Sequence, residues 1–178
     1  MRYAALLRGI NVGGNKKVSM AELRALAEGL GLDDPRTLLQ SGNLVFGSTA
    51  SPKKLEVELA TETKKRIGLE TTYFVRSASE WRAVIDANPF RDEAKRDPSR
   101  LVVLFLRDVP KPAAVKTLQS AIVGRETVRA YGKHAYIVYR DGIGRSKLTL
   151  SLIEKSLSTV GTCRNWNTTL KVGVFLAD

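Results

Sequence analysis

The chain predicts an α+β fold in which one arrangement of elements is used twice. Apolar runs of strand length alternate with helical stripes in the order β-α-β-β-α-β. A charged stretch follows, and nearly the same order then returns. At 178 residues and 43% hydrophobic composition, there is enough apolar material for a core, as one domain or as two small modules packed together. The order is the split βαβ of ferredoxin-like modules. It sets the expected boundaries: residues 1–76 as a first ferredoxin-like module, 77–100 as a connecting helix and charged linker, and 101–178 as a second module in tandem with an extra C-terminal helix.

Arg2 to Arg8 is a strand with a continuous apolar interior, and Gly9 to Lys17 is a glycine- and asparagine-rich loop. Ser19 and Glu22 form a capping box ahead of a stripe of Leu23, Leu26, Ala27 and Leu30, which Gly31 ends. After Asp33-Asp34-Pro35, two short strands, Thr37 to Gln40 and Asn43 to Phe46, flank Ser41-Gly42. Ser51-Pro52 opens a helix with Leu55, Leu59 and Ile67 inward and Gly68 as its stop; Glu70 to Val75 is the next strand. A second capping box, Ser77 with Glu80, starts a helix that Asn88-Pro89 terminates.

Arg91 to Arg100 is almost wholly charged and reads as the linker. Beyond it come a strand at Leu101 to Leu106, a helix opened by Pro112, and a hairpin of Thr127 to Tyr131 with His134 to Arg140. The expected end is a helix from Ser146 to Leu157, a short strand Gly161 to Arg164, and a terminal helix from Trp166. The order of elements repeats without an evident residue-level repeat.

Charge narrows the function classes. The 29 Lys+Arg against 18 Asp+Glu give a formal +11, a field that concentrates phosphorylated molecules and polyanions without conferring specificity. No apolar run reaches membrane-spanning length, and no export signal is recognisable, so a cytoplasmic protein is expected. A single cysteine, Cys163, and a single histidine, His134, exclude an intramolecular disulfide and a Cys/His zinc site. Asp97, Asp141 and Glu154 have no spacing that argues for paired carboxylates or magnesium. No cofactor or metal is expected, and no base or nucleophile is assigned. The RNA-binding pattern of sheet aromatics is absent at Tyr131, Tyr136 and Tyr139.

Four polar stretches stand out. In the first loop, Gly9, Gly13 and Gly14 with Asn11 and Asn15 let backbone amides approach an anion, and Lys16 and Lys17 add charge. The spacing matches neither the phosphate-binding P-loop nor the dinucleotide turn. The others are Gln40-Ser41-Gly42-Asn43, the helix start Gly144-Arg145-Ser146-Lys147, and Thr162 to Thr168, where Arg164 could fork onto an anion. Each has a structural counterpart: a tight turn, an ordinary cap, or Asn165 capping the terminal helix.

Leu6-Leu7-Arg8-Gly9-Ile10-Asn11-Val12-Gly13-Gly14, together with Gln40 to Asn43, Ala87 to Phe90, Ser146-Lys147-Leu148 and Arg164 to Thr168, resembles the bacterial domain-of-unknown-function family numbered 1697. The resemblance covers essentially the whole chain. It implies two ferredoxin-like modules and no activity, the family being uncharacterised. Its signature falls here on Arg8, Asn11, Gly13, Gly14, Ser41, Asn43, Lys147, Arg164 and Asn165. Cys163 stands where another small residue is usual, which argues against a thiol nucleophile.

These positions, with Lys16, are expected to converge between the modules as a basic cleft for a phosphate- or carboxylate-bearing small molecule. Two alternatives stay open: the same residues stitch the modules together, or distributed charge binds nucleic acid. Lys147, if buried beside Arg164, is the first candidate for a shifted pKa.

Overall fold

The computed structural model describes residues 1–9 and 17–177. It is a mixed α+β fold with two four-stranded antiparallel sheets and seven helices among the described residues. The chain divides into two compact units, Met1–Ala83 with Lys171–Asp178, and Val84–Leu170.

The first unit holds β1 (Arg2–Leu7), α1 (Met20–Gly29), β2 (Asp33–Leu38), β3 (Asn43–Gly47), α2 (Pro52–Ile67) and β4 (Tyr73–Ser77), with sheet order β2-β3-β1-β4. Each helix starts where its cap dictates. The Ser19–Glu22 capping box is closed in both directions, and Ser51 accepts from the Lys54 amide ahead of Pro52. Gly68, at φ +72°, ends α2 in the left-handed conformation that glycine adopts without penalty. Tyr3, Ala5 and Leu7 of β1 alternate onto the helix-bearing face, where Leu23, Leu26, Leu55 and Leu59 complete the core. Leu6, Val45 and Phe74, on the opposite face, are buried as well. A ligand is therefore offered this sheet's ends rather than its faces.

β2 begins at Asp33, four residues before the strand expected from the sequence. Pro35 is tolerated because β2 is an edge strand, and Asp34, at φ +43°, accompanies an irregularity in register between Asp33 and Arg36.

α3 (Ala78–Asp86) follows directly from β4, its start fixed by the Ser77–Glu80 box. Arg91 to Arg100, expected as an unstructured charged stretch, is ordered. It folds into α4 (Arg91–Arg96) and a 3-10 turn, Pro98–Arg100. Asp92 and Glu93 lie in the first turn of α4 and Lys95 and Arg96 in the last, an arrangement the helix dipole favours. The second unit continues with β5 (Leu101–Leu106), α5 (Pro112–Ala121), β6 (Thr127–Tyr131), β7 (His134–Val138), α6 (Leu150–Leu157) and β8 (Gly161–Asn165), with sheet order β6-β7-β5-β8. Val102, Leu104, Leu118, Ile137 and Ile153 are among its core. α7 (Trp166–Ala177) closes the chain.

The two sheets repeat residue by residue, which the sequence did not reveal. Ala4 faces Val45 and Arg76 across β1; Val103 faces Tyr136 and Arg164 across β5. Arg8 and Arg107 follow the central strands, each donating its amide, to Thr72 O (3.0 Å) and Val160 O (2.9 Å). Arg76 and Arg164 are both buried and each precedes a helix-capping side chain, Ser77 and Asn165. Identities are few between the halves, so only the pairing register exposes the equivalence.

Candidate functional site

At the exit of β1, several of the predicted residues meet. The Leu7 amide donates to Gly42 O at 3.0 Å, which ties the start of the glycine loop to the β2–β3 turn. The Arg8 amide donates to Thr72 O at 3.0 Å, and Thr71 Oγ1 donates to Arg8 O at 3.1 Å. Gly9 takes φ +65°, is exposed, and among the described residues has open space where a Cβ would stand. Arg8, Ser41 and Asn43 thus share one end of the sheet, Arg8 half-buried, Ser41 exposed and Asn43 fully buried. Asn11, Gly13, Gly14 and Lys16 lie outside the described residues.

The turn is under tension. Leu39 adopts φ +60° and is exposed, although a side chain in the left-handed region costs about 1–2 kcal/mol. Asn43 holds it: Nδ2 donates to Leu38 O at 2.8 Å and to Ser41 Oγ at 2.9 Å. Backbone strain of this sort collects where a loop must keep a particular shape.

In the second unit, Lys147 does not begin a helix. A 3-10 turn spans Ile143–Arg145, and Thr149 is the cap of α6, its Oγ1 accepting from the Leu152 amide at 3.2 Å. Ser146 is diverted, donating to Glu126 Oε1 and accepting from the Leu148 amide. Lys147 is exposed rather than buried beside Arg164. Arg164 is buried; its Nη1 donates to Thr162 Oγ1 at 3.0 Å and to Cys163 O at 2.7 Å. Burial pulls its guanidinium down to about 10. Asn165 Oδ1 accepts the Thr168 amide at 2.8 Å, the capping role weighed above.

A thiol–imidazole pair fails on geometry. Cys163 lies opposite Leu104 and His134 opposite Phe105, so strand alternation puts them on opposite faces of one sheet. Burial also pushes the thiol up to about 12. Among the described residues no cluster of three His, Cys, Asp or Glu could hold a metal ion.

Sequence reasoning missed one concavity. Arg96, Arg100, Arg125 and Arg140 line a cavity of about 200 Å³ in the second unit, with Glu93 and Asp97 beside them. The available signal was Asp92-Glu93 ahead of Lys95-Arg96, an order that suits a helix.

Residues 1–136 match the family described as "Protein of unknown function (DUF1697)". The chain belongs to this family. The DUF1697 fold is also found in a solved structure, that of the conserved bacterial protein SP0830 from Streptococcus pneumoniae. That protein is 28% identical, with a TM-score of 0.76 over 98% of each chain. No curated protein matches this DUF1697 chain. No helix among the described residues is long and apolar enough to cross a membrane.

Proposed function

We propose that this DUF1697 protein binds a phosphate- or carboxylate-bearing small molecule at the exit of β1. The observation that carries the reading is the bond from the Leu7 amide to Gly42 O, which gathers Arg8, Gly9 and Ser41 at one end of a sheet. An arginine, an open glycine backbone and a serine hydroxyl are donors suited to an anion, and the +11 charge raises its local concentration. Asn11, Gly13, Gly14 and Lys16 continue the same loop in sequence and belong to the proposal on that ground. Asn43, Arg164 and Asn165 are read instead as scaffolding, supported by the turn, strand and cap bonds each makes. The reading includes a cytoplasmic setting, supported by the lone cysteine.

The units are read as ferredoxin-like modules, centred on residues 1–76 and 101–178. The β-α-β-β-α-β order and the matching sheet orders support this.

The test is a thermal-shift screen of phosphate, pyrophosphate, phosphosugars, nucleotides and dicarboxylates. A ligand at ~100 times its Kd should stabilise by about 2.7 kcal/mol, and Arg8→Ala should remove the part of the gain that comes from the β1 exit. A stabilisation that Arg8→Ala leaves intact contradicts the assignment.

A further inference from the structure

We propose that the arginine-lined cavity of the second unit is a separate phosphate-binding site. It uses none of the residues at the β1 exit and stands independently of that reading. One wall is the charged stretch that folds as α4 and its 3-10 turn; the other is the start of β6 and the end of β7. The Tyr139 amide donates to Arg100 O at 2.9 Å, and Arg100 Nη1 donates to Arg140 O, so both walls are pinned together. Val138, nearly fully buried, contributes an apolar patch to the lining.

Charge is left over in this cavity. Arg140 pairs with Glu93 at 3.2 Å, Arg100 with Asp97 at 2.9 Å, and Arg125 with Asp141, which is not part of the lining, at 3.3 Å. The Arg96 guanidinium makes no ion pair or hydrogen bond among the described residues. Four arginines and two acids therefore line the cavity, largely through the arginine stems, and one positive charge remains even when Asp141 is counted. The Arg100 and Arg125 pairs are solvent-exposed and weak, so an arriving anion can take over their donors at little cost.

Shape selects the ligand class. The volume of about 200 Å³ lies below the ~300–1,000 Å³ of larger ligand pockets, which suits a single anionic head group. A planar carboxylate is satisfied by one guanidinium fork. A phosphate or phosphomonoester, with its tetrahedral array of oxygens, can draw donors from several of the lining arginines at once.

The test is calorimetric titration of the full chain with inorganic phosphate at ~25 mM salt, where screening is weak. Arg96→Ala and Arg125→Ala, both at exposed positions, should each weaken binding by about tenfold. Arg145→Ala, an exposed arginine of the same unit outside the lining, should leave it unchanged, and acetate should bind more weakly than phosphate. A short single-stranded oligonucleotide that competes with phosphate on the native chain but not on Arg96→Ala would assign the site to nucleic-acid phosphates. An oligonucleotide that does not compete would assign it to small phosphoesters. Absence of binding, equal affinity for acetate, or native affinity in both pocket variants would overturn the proposal. Loss of phosphate binding in Arg8→Ala with Arg96→Ala unaffected would overturn it while leaving the β1-exit reading standing.

Discussion

Replacing Asn43 by alanine tests how the β1 exit is held in shape. The side chain is fully buried, and its bonds include one at 2.8 Å to Leu38 O and one at 2.9 Å to Ser41 Oγ. Each is worth about 1 kcal/mol net, the Ser41 hydroxyl being able to turn to water and the Leu38 carbonyl less so. The same bonds restrain Leu39 at φ +60°. Asn43→Ala should therefore cost about 2–3 kcal/mol, and the isosteric Asn43→Asp at least ~3 kcal/mol, because a carboxylate oxygen would then face the Leu38 carbonyl. Leu39→Gly, which removes the left-handed strain, should restore about 1 kcal/mol in the Asn43→Ala background. Urea unfolding followed by circular dichroism reads all three. A midpoint for Asn43→Ala equivalent to native stability within ~0.5 kcal/mol would refute the role assigned to this side chain.

Four further outcomes follow from the structure. Thr63 Oγ1 donates its one proton to Leu59 O, so the buried Tyr73 hydroxyl must donate to Thr63; Thr63→Val should cost about 1–3 kcal/mol by orphaning that donor, measured by urea unfolding. Cys163, raised from 9.0 to about 12, carries about a thousandfold less thiolate near neutral pH than an unperturbed thiol, so alkylation should be slow in the native state and fast in urea. Both Cys163 and Tyr73 have folded values above their unfolded ones (9.0 and 10.0, each to about 12), so their contribution to stability is intact below pH 9 and is lost as pH rises through 9–12; base titration by circular dichroism checks the sign. Asn165→Ala should cost about 1 kcal/mol through loss of the α7 cap, and Asn165→Asp should largely preserve it.

Local chemistry made much of the fold legible. The Ser19–Glu22 and Ser77–Glu80 boxes, the Ser51-Pro52 start and the Gly68 stop are signals carried by a few adjacent residues, and each element begins or ends where they say. The misreadings arose where distant partners decide. Ser146 resembles a helix cap until Glu126, twenty residues away, takes its hydroxyl, and Thr149 then caps α6. Pro35 reads as a break unless its strand is known to lie at an edge. The run Arg91 to Arg100 lacks an apolar stripe, so periodicity could not distinguish a short solvent-facing helix from a linker.

Of the candidate site, Arg8 and the Ser41–Asn43 turn were both named from the sequence as polar ends of strands, and a bond from the Leu7 amide to Gly42 O joins those two ends. The division of labour between them was not anticipated. Whether an asparagine binds a ligand or a carbonyl depends on burial, and Asn43 gives no sign of its burial in the sequence. The same holds for Arg164, whose burial on a sheet face becomes apparent only once its register opposite Val103 is known.

The most direct measurement of the central claim is a titration of the isotopically labelled protein with inorganic phosphate, observed through backbone amide resonances. The account predicts that the amides of Gly9, Ser41 and Gly42 shift together along one saturating curve and that Arg8→Ala removes the response. Amides at the β1 exit that stay fixed while phosphate saturates the protein elsewhere would contradict it.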